Sequence, residues 1–210
     1  MINILIIIFT MTLFYIAAAG RLTTYIRVLF MQGLLLFGIA YLELKDVHVG
    51  HFLMILLETL VFKAILVPVF YDNLIKRNGF QDERDPTNPN FFALFKVGLI
   101  IIFAFILAYS LHRDEHLKIT YFACSVSAIL TGMLMVVRRK KLITHIMGFL
   151  VLENGIFLLS LAIGSEMPFI VNIGILLDLM TSVFLFGFFL FRIGEVSHTQ
   201  EVESLTGLKD

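Results

Sequence analysis

The chain has 210 residues, 59% of them hydrophobic and only 15% charged, with a mean hydropathy of +0.94; a soluble domain carries roughly 45–50% apolar and about 25% charged residues. So few polar side chains exclude a solvated globule, a disordered chain and a collagen, and a formal net charge of zero excludes the basic surface on which nucleic-acid binding depends. The composition is that of an integral membrane protein.

About 20 apolar residues cross a bilayer as a helix, and the hydropathy pattern predicts an all-α, polytopic bundle of about seven such helices. The first is Ile2–Ala19. No basic residue precedes it and another span follows Gly20 directly, so it is expected to remain a membrane helix and not to be a cleaved leader. Leu22–Leu42 and His51–Tyr71 complete an N-terminal three-helix part, residues 1–71. Residues 72–90 form a connector whose charges, two prolines and asparagines suit turns. Phe91–Leu111, Ile119–Val137, Leu142–Ile163 and Pro168–Ile193 make a four-helix part, residues 91–193, followed by a tail, residues 194–210. The two parts are expected to pack as a single bundle.

The basic residues fix an expected orientation. With helices alternating direction, twelve Lys and Arg fall on one side, including the run Arg138-Arg139-Lys140-Lys141, and three (Lys45, Arg113 and Lys118) on the other. Basic residues mark the cytoplasmic face, which places the N-terminus outside and the C-terminus and the 72–90 connector inside. The chain has no Trp, and Tyr25, Tyr41, Tyr71, Tyr109 and Tyr121 lie near expected span ends, where they would form the interfacial aromatic belt.

Four ionisable residues fall deep within spans: Glu58, Lys63, Glu153 and Asp178. A charge at the centre of a membrane helix costs on the order of 2.5–3.5 kcal/mol on insertion scales, so such residues face protein or water and mark ion or proton routes. Glu153 is about eleven residues into its helix, or about 16 Å at 1.5 Å per residue, near the middle of a hydrocarbon core about 30 Å thick. Asp178 reaches a similar depth from the opposite side on the next helix. Loss of water disfavours the charged form of a carboxyl and prepares it to exchange a proton. Asn154 and Gly155 follow Glu153, and Gly174, Asp178, Thr181 and Ser182 share one helical face. Glu58 and Lys63, five residues apart on an α-helix, would point about 140° apart, so Lys63 needs a partner on another helix or must extend to the interface. Pro68 withholds an N–H from the carbonyl of Ala64, beside Lys63.

Other polar motifs carry less. His112-Arg113-Asp114-Glu115-His116 has the spelling of an H-x-x-E-H zinc motif, but in a short loop without a third ligand it predicts no metal. Cys124, the sole cysteine, sits in an apolar run without neighbouring ligands. His145, near the cytoplasmic start of its helix, is a supporting candidate for passing protons toward Glu153, eight residues further on.

As a set, Gly148-Phe149-Leu150-Val151-Leu152-Glu153-Asn154-Gly155, Ile173-Gly174-Ile175-Leu176-Leu177-Asp178, the tail Leu205-Thr206-Gly207-Leu208-Lys209-Asp210 and, upstream, Lys63-Ala64-Ile65-Leu66-Val67-Pro68 resemble component E of hydrogenase-4 type membrane complexes, the group 4 [NiFe]-hydrogenase and formate hydrogenlyase type. The last three helices also look like the NuoK-type subunit of complex I. The resemblance implies a plasma-membrane subunit that binds no catalytic cofactor and works beside antiporter-like membrane subunits and a hydrophilic hydrogenase-like arm. It further implies that Glu153 matches the first of two proton-translocating membrane glutamates and that Asp178 takes the place of the second, one methylene shorter. The expected function is a carboxylate relay for proton or sodium translocation through Glu153 and Asp178, biased by Lys63 and assisted by Glu58, with Asn154, Thr181 and His145 in support. Two alternatives are a structural subunit that docks antiporter-like partners and a NuoK-like subunit of a multisubunit cation/proton antiporter.

Overall fold

A computed structural model describes residues 2–43, 49–77, 90–111, 118–138, 142–163 and 187. Every regular element among them is helical: α1 (Ile2–Ala18), α2 (Leu22–Glu43), α3 (Val49–Leu57), a π-helical segment (Glu58–Leu66), α4 (Val67–Arg77), α5 (Asn90–Ser110), α6 (Ile119–Arg138) and α7 (Leu142–Ile163). These helices start and stop within a few residues of the first six expected runs, except that the third extends to Arg77 as three joined segments. The expected seventh run, Pro168–Ile193, lies outside the described residues apart from Gly187.

Among the described residues, four helices are long and apolar enough to cross a membrane: Leu22–Glu43, Phe91–Ser110, Ile119–Arg138 and Ile143–Ala162. Helix α1 is apolar but shorter. The third run is interrupted only in hydrogen-bonding pattern, because Leu57 and Val67, which flank the π segment, both keep right-handed helical backbone. Its nine and eleven α-helical residues supply about 30 Å of rise by themselves.

The helices turn apolar side chains both inward and outward. On α1, Ile6, Phe9, Leu13 and Ile16 recur at helical spacing and are wholly buried, whereas Ile4, Ile7, Met11 and Tyr15 point away from the bundle. Helix α5 presents Phe92, Phe95, Leu99, Ile102, Ile106 and Tyr109 outward. A water-soluble monomer does not expose apolar area on that scale, but hydrocarbon accommodates it. Helix α1 packs on α2, α5 and α6, and α2 also packs on the π segment and α7, so the parts before and after the 72–90 connector share one bundle.

Small residues set the closest approaches, as expected where helices associate by packing and not by exclusion of water. A Cβ added to Gly132 of α6 would lie 2.6 Å from the Gly148 carbonyl oxygen and the Leu152 nitrogen of α7, and one added to Gly155 would lie 2.8 Å from the Ile129 nitrogen. The α6 and α7 backbones are therefore in direct contact, antiparallel, with Thr131 level with Glu153. Gly33 does the same for α2: its Cβ would stand 2.7 Å from the Ala64 nitrogen. That contact puts Lys63 and Ala64 at the depth of Gln32 and Gly33.

The tyrosines correct the expectation of an aromatic belt. Tyr41 and Tyr109 face outward, but Tyr25, Tyr71 and Tyr121 are buried. The Tyr25 hydroxyl donates 2.7 Å to the Ala19 carbonyl and closes the corner between α1 and α2. The Tyr121 hydroxyl donates 2.6 Å to Glu43, which also pairs with Lys118. This cluster fastens the end of α2 to the start of α6, and Lys118 in turn donates its backbone N–H to Ala162 at the end of α7.

Candidate functional site

The π segment is the local feature that builds the site. Pro68 has no N–H to give the preceding turn, and its ring crowds the carbonyl four residues back. Immediately before it the helix widens to i→i+5 bonding, with the Val67 N–H donating to the Phe62 carbonyl. This corrects the spacing expected of Glu58 and Lys63. Five residues only slightly overshoot one turn of a π-helix, so their backbones lie nearer one face than the roughly 140° expected of an α-helix. The side chain of Glu58 lies outside the described residues.

Lys63 does not extend to an interface. Its ammonium lies 3.5 Å from Glu153 Oε1, with the two side chains only 2% and 4% exposed, and 5.0 Å from the centre of the Phe157 ring. Glu153 and Phe157 are one turn apart on the same face of α7, so that face receives the cation with a carboxylate and an aromatic surface. At this separation the attraction is about 5 kcal/mol for an effective dielectric of about 20. Desolvation takes back several kcal/mol per ion, so a buried pair roughly breaks even against apolar side chains of the same volume. Fold stability alone gives no reason for this pair.

The N···O distance also exceeds the 2.7–2.9 Å of a charge-assisted hydrogen bond. Among the described residues the Lys63 ammonium, with three N–H groups to give, has no hydrogen-bond acceptor, and neither the Tyr71 hydroxyl nor the Thr131 hydroxyl has a hydrogen-bond partner. Tyr71, on α4 and two turns beyond Lys63, continues the buried face that Lys63 and Val67 form on this helical run.

Beside the pair runs a hydrogen-bonded chain of neutral groups. Asn154 Nδ2 donates to Gln32 Oε1 at 3.1 Å, Gln32 Nε2 donates to Thr12 Oγ1 at 2.9 Å, and the Thr12 hydroxyl donates to the Phe9 carbonyl at 2.6 Å. With Lys63, Thr131 and Glu153 these residues form one polar layer, contributed by α1, α2, the π segment, α6 and α7. Gln32 and Thr12 are not found by searching for ionisable residues. The available signal is that Gln32 is an amide inside the apolar run Val28–Leu36, where an unpaired polar group costs several kcal/mol.

Of the expected site residues, Lys63, Glu153 and Asn154 come together. His145 is partly buried on α7, about 12 Å before Glu153 along the axis. Asp178, Thr181 and the His112–His116 motif lie outside the described residues. Among the described residues no group of three His, Cys, Asp or Glu side chains is placed to hold a metal ion. Cys124 is buried and accepts a hydrogen bond from Thr10, 3.0 Å away. No protein-family model matches the chain, and neither the curated proteins nor the solved structures yield a significant match.

Proposed function

We propose that the protein is a seven-span plasma-membrane subunit of a hydrogenase-4-like, complex I-related oxidoreductase complex, in which it contributes a buried relay to proton or sodium translocation. Its N-terminus is outside and its C-terminus cytoplasmic. Antiporter-like subunits and a hydrophilic hydrogenase-like arm are its partners, and the redox chemistry resides in them. The observation that carries the reading is the Lys63–Glu153 pair, two mutually dependent charges held at the depth of a five-element polar layer. When Glu153 takes a proton the pair loses its attraction, and Lys63 is left to seek another negative charge; Asp178 is the proposed second carboxylate. Protonation of one acid then biases the other through Lys63, which is the requirement for a relay and not for a static brace.

Replacing Glu153 by Gln keeps hydrogen bonding but removes the titrating proton. Proton-coupled turnover per assembled complex is expected to fall to background. Wild-type coupling in assembled Glu153→Gln complex would remove Glu153 from the mechanism. The orientation is tested separately by single cysteines in a Cys124→Ser background. Ser204→Cys is expected to react with an impermeant thiol reagent only from the cytoplasmic side and Asp114→Cys only from outside; the reverse pattern would invert the topology.

A further inference from the structure

Tyr71 poses a question of its own, because its ring is fully used in packing while its hydroxyl is not. The residue is 1% exposed and stacks edge-on against Phe70, with ring centres 5.3 Å apart. A phenylalanine would fill that place equally well. The hydroxyl, buried and without a hydrogen-bond partner among the described residues, carries the full desolvation penalty of a donor and an acceptor if left dry. It lies on the same helical run as Lys63, and Lys63, Val67 and Tyr71 are buried at successive turns, so the hydroxyl continues the face whose ammonium meets Glu153. One residue further is Asp72, partly buried and paired with exposed Lys76 at 2.5 Å, which marks where this helix meets water. A polar group placed between a buried carboxyl and a hydrated helix end satisfies its donor and acceptor through water.

We propose that Tyr71 passes protons between Glu153 and the Asp72 end of its helix. The phenol gives its hydrogen to a water facing Glu153 while its oxygen takes a hydrogen from a water on the Asp72 side. One O–H bond breaks and one forms, the ring stays neutral throughout, and the phenol must rotate before it can pass another proton. The amide chain from Asn154 to Thr12 offers no such route, because amide groups neither gain nor release protons near neutral pH. The Tyr71 assignment rests on the relay reading above and adds the direction in which Glu153 communicates with water.

Tyr71→Phe is the test, made in the assembled complex beside Glu153→Gln. The expected result is proton-coupled turnover lowered about tenfold or more, in the range of a lost proton-transfer group, with thermal stability unchanged or raised. A purely structural tyrosine would show the reverse, lower stability with intact coupling per assembled complex. Normal coupling in Tyr71→Phe with Glu153→Gln inactive would overturn the role of Tyr71 and leave the relay standing; normal coupling in both would overturn the two together. A second measurement uses 3-fluorotyrosine at position 71, which keeps ring and hydroxyl. Its fluorine resonance is expected to shift when Glu153→Gln is introduced, and an unmoved resonance would separate Tyr71 from Glu153.

Discussion

Glu153→Gln is expected to destabilise the protein by about 3–5 kcal/mol, the usual result of leaving one member of a buried ion pair without its counter-charge. Lys63→Met, which leaves a buried carboxylate without its counter-charge, should cost a similar amount. The double variant Lys63→Met/Glu153→Gln has no buried charge at this place and is expected to return to within about 1 kcal/mol of the starting protein. Thermal unfolding of the four proteins in one detergent measures all three differences. A double variant that loses the sum of the single effects would show that the two side chains do not interact, and the site built on them would fall.

Gly132→Ala tests the frame that holds this pair. The new methyl would stand 2.6 Å from two backbone atoms of α7, and backbone cannot rotate out of the way as a side chain can. Helices α6 and α7 must separate, and Glu153, one residue beyond Leu152, moves with them. The expected loss is about 3 kcal/mol, at the upper end of what overpacking one carbon costs. Gly98→Ala is the control, since its nearest neighbour, the Phe14 ring, is a full 4.0 Å from the added carbon. Equal stability of the two variants would mean that the α6–α7 contact is looser than described.

Much of this could be read before any coordinates. Apolar length fixed the six described helical runs, because in lipid a helix is the way a single segment satisfies all its own backbone hydrogen bonds. Lys63 and Glu153 stood out because a charge in such a run demands a reason. Their meeting was not legible, since they sit on different helices and apolar patterns do not say which helices pack together; the changed spacing of Glu58 and Lys63 was hidden because the one clue, Pro68, signals a disturbed turn without saying which way the turn relaxes. Gln32 and Thr12 were missed for a different reason: a neutral polar group is conspicuous only when its partners are known, and those sit on other helices. The tyrosine belt failed by the same route. Nearness to a span end describes Tyr25 and Tyr121 correctly, but the carbonyl of Ala19 and the carboxylate of Glu43 draw both hydroxyls inward.

The decisive measurement is proton movement per electron pair in the reconstituted complex carrying Lys63→Met/Glu153→Gln. In that variant the packing is preserved and both titrating groups are gone, so fold and function separate. The expected result is an assembled complex of near wild-type stability whose redox reaction moves no protons above background. Wild-type proton movement by the assembled double variant would contradict the relay.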